Sequence, residues 1–125
     1  ANMSPGVALF VRVLQNFKAI KDWNFEIEES HHQHKRDKPS GTALLLQQTL
    51  EKNIGRKTGT IVSHRLGDVP GTHQIKAIGP EETLTIEHVA LDRRVFARGA
   101  LSAARWLFDK KRPGLYDLSD LHSLS

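Results

Sequence analysis

Three histidines, His31, His32 and His34, fall within four positions and run straight into Lys35, Arg36, Asp37 and Lys38 and a Pro39-Ser40-Gly41-Thr42 turn. Imidazole titrates near neutrality, so each ring can act as acid, base, cation or metal ligand. Ser-Gly-Thr reads as the start of a helix, where unpaired N–H groups and the positive end of the helix dipole form a site for carboxylate or phosphate. Taken alone, Ser40 could simply be a cap, and a basic run is often only solvated surface. Side by side, proton donors and an anion cradle suit a negatively charged substrate that must be protonated.

The elements on either side would position these groups. Trp23, Phe25 and Ile27 alternate with Asn24, Glu26 and Glu28, which predicts a strand with one face inward that delivers His31 and His32 at its end. Successive side chains point to opposite faces, so His31 and His32 cannot share a small metal site without a bend. His32 and His34 could share a face but have no evident third ligand, and no metal is expected. The helix after the turn is expected to run to about residue 54, with Leu44, Leu45, Gln48 and Thr49 as candidates for its core stripe and Gly55 as its stop. Upstream, Ser4-Pro5 reads as a cap with proline at the first helical position. That first helix is expected over 5–20, with Val7, Phe10, Val11, Leu14, Phe17 and Ile20 as its buried face. Strands are expected over 60–66, 72–78 and 83–91, and a last helix over 95–108 carrying Phe96, Ala100, Ala103, Ala104, Leu107 and Phe108. The order α-β-α-β-β-β-α predicts an α+β fold, a four-stranded, mostly mixed sheet with helices packed on one face.

Composition narrows the class of partner. Eighteen Lys and Arg against 14 Asp and Glu give a net charge of +4, spread along the chain, which favours small acidic molecules over nucleic acid. A stacking platform for bases is missing, because Trp23, Phe25 and Trp106 sit at apolar positions of core patterns. The absence of cysteine excludes disulfides and thiolate chemistry. No apolar run approaches a membrane span or signal segment, and the chain is expected to be cytoplasmic.

The string Glu29-Ser30-His31-His32-Gln33-His34-Lys35-Arg36-Asp37-Lys38-Pro39-Ser40-Gly41-Thr42-Ala43 resembles the E-x-H-H-x-x-K-x-D-x-P-S-G-T-A signature of 4-hydroxy-tetrahydrodipicolinate (dihydrodipicolinate) reductases. The likeness extends to Ala1-Asn2-Met3-Ser4-Pro5-Gly6-Val7, to Arg65-Leu66-Gly67-Asp68-Val69-Pro70-Gly71-Thr72-His73, to Phe96-Ala97-Arg98-Gly99-Ala100 and to Gly114-Leu115-Tyr116-Asp117. It implies an enzyme of the diaminopimelate route to lysine, in which NADPH or NADH delivers hydride to a cyclic imine dicarboxylate. His31 matches the general acid and Lys35 a second proton-relay or charge-stabilising group. His32, Lys35, Ser40, Gly41 and Thr42 match substrate-binding positions, and Ala1, Asn2 and Met3 match hinge residues at the nicotinamide end of the cofactor. Lys38 is read as solvent-facing, His34 as surface or as a support behind the site, and Asp37 as orienting the loop or pairing with a neighbouring cation. Residues 1–125 would then form the C-terminal, substrate-binding domain of a two-domain reductase. The G-x-G-x-x-G unit of a dinucleotide-binding half is not in this sequence. The resemblance also implies self-association through the sheet, as a tetramer or, given the short path from Gly55 to Gly71, a dimer. A stand-alone anion- or metal-binding module is the alternative.

Overall fold

The structure, a computed structural model, describes residues 2–122. Its elements are α1 (Pro5–Leu14), a 3₁₀ turn (Phe17–Ile20), β1 (Asn24–His31), α2 (Gly41–Ile54), β2 (Val62–Arg65), β3 (Thr72–Ile78), β4 (Thr83–Val89), α3 (Arg94–Phe108) and a short α4 (Leu118–Leu121). The strands form one mixed sheet in the order β2-β1-β3-β4. β1 runs parallel to β2 and antiparallel to β3, and β3 and β4 form a hairpin. A parallel pair cannot be joined by a tight turn, and α2 supplies the crossover between β1 and β2.

Period-two alternation sets the inner face. Ile27 sits opposite Ile75, and Ile75 opposite Ile86. Against this face α1 and α2 bury Phe10, Leu14, Leu46, Leu50 and Ile54, with Phe17 from the 3₁₀ turn completing the core. The expected α+β architecture is present, and α4 is an addition to the expected order.

Several expectations need correction. The first helix does not reach residue 20. Gln15 and Asn16 donate to the carbonyls three residues back, Arg12 and Val13, while the Asn16 side chain bonds the Arg12 carbonyl. That side chain competes with the helical ladder, so Phe17 reaches the core from a tighter turn. In α2 the buried stripe is Ala43, Leu46, Leu50 and Ile54, whereas Leu44 and Leu45 are about two-fifths exposed. Of three consecutive leucines only one can face the sheet, and the Ser40 cap fixes which. β2 covers only 62–65, and β4 ends at Val89, where the Ala90 N–H turns to the Gly71 carbonyl. The link from β2 to β3, which holds Gly67 and Gly71, steps over the end of β1, because β1 lies between those two strands. Of the residues expected to form the apolar face of α3, Phe96 and Ala103 are half-buried, while Ala100, Ala104, Leu107 and Phe108 are exposed. Its buried residue is Gly99, where a Cβ would lie 1.8 Å from the Met3 carbonyl oxygen, so the helix approaches by backbone. No helix among the described residues is long and apolar enough to cross a membrane.

Candidate active site

The inward alternation of β1 continues beyond its apolar residues. After Phe25 and Ile27 the next two inner positions are Glu29, fully buried, and His31, 8% exposed. β1 therefore carries a carboxylate and an imidazole into the end of the core where α1 and α2 begin. Donors surround both oxygens of Glu29. Arg65 makes a two-pronged contact, NH1 to Oε2 at 2.8 Å and NH2 to Oε1 at 2.9 Å, His31 Nδ1 lies 2.6 Å from Oε2, and the Ser40 N–H donates to Oε1 at 3.0 Å. Burial on its own would raise the Glu29 pKa, but the bonds from Arg65, His31, Ser40 and Ser63 outweigh it and hold the carboxyl at about 2.

His31 is fixed by its backbone as well as its ring. Its carbonyl accepts from the Leu66 N–H at 2.9 Å, and the next turn is tied by Gln33 N–H to the Gly67 carbonyl. The Nε2 edge of the ring lies against Gly71, where an added Cβ would come to 3.0 Å. Gly71 also has φ +154°, so the position needs glycine for both reasons.

Three imidazoles line up across the sheet. The His31 and His73 ring centroids are 5.1 Å apart, edge to face, and those of His73 and His88 are 5.9 Å apart and stacked. His73 lies opposite Glu29 in the antiparallel register, and His88 opposite His73. Each of the latter two meets a helix cap. His73 Nε2 is 3.2 Å from Ser40 Oγ, which accepts from the Ala43 N–H, and His88 Nε2 is 3.2 Å from Ser4 Oγ, which accepts from the Val7 N–H. Burial, then the nearby His31 and His88, pushes His73 down to about 4, and burial lowers His88. Around pH 7 His73 is thus a neutral ring.

The loop after β1 carries the remaining candidates. His32 is half-buried and its ring lies 6.4 Å from that of His34. Desolvation, then the neighbouring Arg93, His34, His31 and Lys35, depress its pKa. Lys35 Nζ pairs with Asp37 Oδ1 at 2.8 Å, and this contact lowers the Asp37 pKa. Lys38 and His34 are exposed. At the α2 N-terminus, Ser40 is the cap, Gly41 has open space where a Cβ would be, and Thr42 Oγ1 accepts from Asn2 Nδ2 at 3.1 Å. Asn2 Oδ1 in turn accepts from the Ser4 N–H at 2.8 Å. Met3 is half-buried beside Gly99, and Ala1 lies outside the described residues.

The fold thus gathers His31, Ser40, Gly41, Thr42 and Asn2 at one end of the sheet, with His32 and Lys35 on the adjoining loop. Lys35 is turned to Asp37. Sequence reasoning missed Glu29, Arg65, His73 and Arg93 as parts of this region. Glu29 was signalled by two-residue periodicity carried on from Ile27. Arg65 and His73 depend on strand register, Arg65 opposite His31 and His73 opposite Glu29, which no local pattern reveals.

Among the described residues no three His, Asp or Glu side chains are grouped so as to hold a metal ion. Nor does any strand, glycine-rich turn and helix among them fit a dinucleotide, since β1 leads to α2 through His32–Ser40 rather than through glycines. Two concavities of about 430 and 420 Å³ lie along α1 and α3, and neither is lined by His31, Lys35, Ser40 or Gly41. The start of α2 lies outside both.

Residues 6–121 match the family model described as "Dihydrodipicolinate reductase, C-terminus". The 4-hydroxy-tetrahydrodipicolinate reductase of Bdellovibrio bacteriovorus is 49% identical over 121 residues, covering 97% of this chain and 52% of that protein. The proteins of the same name from Thermosipho africanus and Allorhizobium ampelinum are 40% and 42% identical, with 96% and 99% of this chain covered and 53% and 54% of theirs. The chain spans about half the length of the curated relatives it matches. A solved structure described as dipicolinate-bound dihydrodipicolinate reductase from Paenisporosarcina sp. TG-14 shares the fold, with a TM-score of 0.77 at 24% identity over 96% of this chain and 52% of that one. A buried carboxylate–imidazole pair beside an open helix start, carried on a chain with these relatives, places it in the dihydrodipicolinate reductase family, as a member of its C-terminal domain.

Proposed function

We propose that this chain is the substrate-binding and proton-donating half of a nicotinamide-dependent 4-hydroxy-tetrahydrodipicolinate reductase. The observation that carries the reading is the position of His31, held by Glu29, next to the open first turn of α2. A carboxylate of a cyclic imine dicarboxylate would take the N–H groups of Gly41 and Thr42, displacing the Asp37 carboxylate from the Gly41 N–H, with His32 and Lys35 supplying positive charge for the other. Lys35 would exchange its contact with Asp37 for the substrate. His31 would then protonate the reduced ring.

The described residues do not fit a dinucleotide, so the cofactor, NADPH or NADH, would be held mainly by a separate domain that supplies hydride chemistry. Asn2 and Met3, with Ala1, would meet its nicotinamide end. Two facts support this division. The relatives are about twice as long, and the cradle lies outside both concavities, as expected for a site closed by another half. A stand-alone anion- or metal-binding module is not favoured, because the relatives are named reductases. Self-association through the outer sheet face, where Val62 and Val89 are about half exposed, and a cytoplasmic location complete the proposal. Light scattering would read the assembly.

The test joins the domain to a dinucleotide-binding half and assays reduction of the dicarboxylate. His31→Gln should lower kcat by about 10²–10⁴ with little change in KM. An unchanged kcat would remove His31 as the acid. Calorimetry with pyridine-2,6-dicarboxylate reads the cradle separately, and Lys35→Ala should weaken both binding and turnover.

A further inference from the structure

We propose that Glu29 is a positioning residue that fixes which nitrogen of His31 carries the proton the substrate receives. The inference rests on the reading of His31 as proton donor and specifies how that donor is prepared. A carboxylate offers only acceptor sites, about four in all. Around Glu29 these sites are crowded with donors, two from the Arg65 fork, one from the Ser40 N–H, one from His31 Nδ1 and one from the Ser63 side chain. The Arg65 guanidinium and the Ser40 N–H have no acceptor and hold Glu29 ionised, so the contact of His31 Nδ1 with Oε2 requires that Nδ1 carry its hydrogen.

The consequence falls on the other nitrogen. With Nδ1–H committed to Glu29 Oε2 at 2.6 Å, the second proton of the imidazolium resides on Nε2, the atom beside Gly71. Proton transfer then breaks the Nε2–H bond and leaves its electron pair on Nε2. The proton forms the new bond on the electron-rich ring atom of the reduced substrate, and the neutral product ring keeps Nδ1–H. The same carboxylate holds the Ser40 N–H, so one side chain sets the proton donor and the edge of the anion cradle relative to each other. Arg65 keeps the carboxylate from turning, because a bidentate fork fixes its plane.

A glutamine at position 29 would bring two N–H donors into a ring of donors, so at least one of these bonds must break. The experiment uses the full-length protein with ¹⁵N-labelled histidine rings, the His31 signals being assigned by their loss in His31→Gln. At a pH where the ring is neutral, wild-type His31 should carry its hydrogen on Nδ1 with Nε2 bare. Glu29→Gln should shift it toward the opposite tautomer and lower kcat by about 10-fold or more, with KM within about threefold. A wild-type ring protonated on Nε2 and bare at Nδ1 would overturn the proposal, and that result needs no variant to fold. A folded Glu29→Gln protein whose His31 tautomer is unchanged would overturn it as well, whatever its activity. Failure of the acid assignment is read elsewhere, from full turnover in His31→Gln, and leaves the tautomer measurement to judge Glu29 by itself.

Discussion

The N-termini of α1 and α2 are built alike and behave differently. Each starts with a serine whose Oγ accepts from the N–H three residues on and sits 3.2 Å from the Nε2 of a histidine on the neighbouring sheet. At α1, proline occupies the first helical position and removes one donor, and the space over Gly6 is filled by the His88 ring, 3.0 Å from where a Cβ would be. At α2 the first residue is Gly41, with its N–H and with nothing within 4 Å of the corresponding point. Only the α2 end has an ionised carboxylate and a guanidinium behind it. A capped helix start is therefore not a binding site in itself. Openness and buried charge make the difference.

The largest effect that would break this comparison is removal of the charge. Glu29→Ala strands the Arg65 guanidinium, which is only 11% exposed, and should cost about 3–5 kcal/mol in chemical denaturation. No substitution of the cap or its histidine at the α1 end should approach that.

Acid should also act first on the α2 end. His73 is held at about 4 against an ordinary value of 6.5, so between those limits the unfolded chain binds the proton more readily and stability falls as pH is lowered. The loss should reach about 3 kcal/mol near pH 4. Glu29, at about 2 against 4.5, extends the decline below pH 4.5. Thermal melts against pH should show this limb flattened in His73→Gln and less so in His88→Gln, where burial alone lowers the ring. A limb unchanged by His73→Gln would assign it elsewhere.

Removing either cap should give similar stabilities and dissimilar ligand binding. Ser4→Ala and Ser40→Ala should each cost about 1 kcal/mol, but only Ser40→Ala should weaken calorimetric binding of pyridine-2,6-dicarboxylate. Equal weakening would mean that the two ends are equivalent after all. The smallest effect sharpens the contrast. Gly41→Ala enters open space at a helical position and should stabilise by about 0.4–1 kcal/mol while hindering the anion. Gly6→Ala must displace the His88 ring and should not stabilise.

Much of this asymmetry could be read along the chain. Ser4-Pro5 and Ser40-Gly41-Thr42 mark both helix starts, and the Trp23, Phe25, Ile27 alternation gives β1 and the delivery of His31 at its end. The capped, glycine-bearing start of α2 follows from residue types alone. Harder to see was that Glu29-Ser30-His31 continues an inward face, because polar residues hide a periodicity that apolar ones display. Arg65 and His73 enter through register between strands, a property of pairing rather than of either segment. The α2 stripe was obscured by Leu44-Leu45-Leu46, whose hydrophobicity fits more than one rotation of the helix. In α3 the contact is a backbone approach at Gly99, which leaves no apolar stripe to detect.

The link between β2 and β3 has a consequence for chain length. From Leu66 to Gly71 it is tied to the end of β1 at Leu66 and Gly67 and lies against the His31 ring at Gly71. Residues 55–60 leave α2 through an exposed left-handed Gly55 and are tied instead to α2 and to the segment before β1, the Thr58 N–H to Glu51, the Gly59 carbonyl to Gln47 and Arg56 to the Lys21 and Trp23 carbonyls. The alignment with the Allorhizobium protein runs over 146 residues, longer than this chain, so relatives accommodate extra segments. By this geometry, growth ahead of β2 leaves the His31 ring where it is, while a single residue inserted after β2 would shift it. Tolerance to insertion changes sign across a strand of four residues.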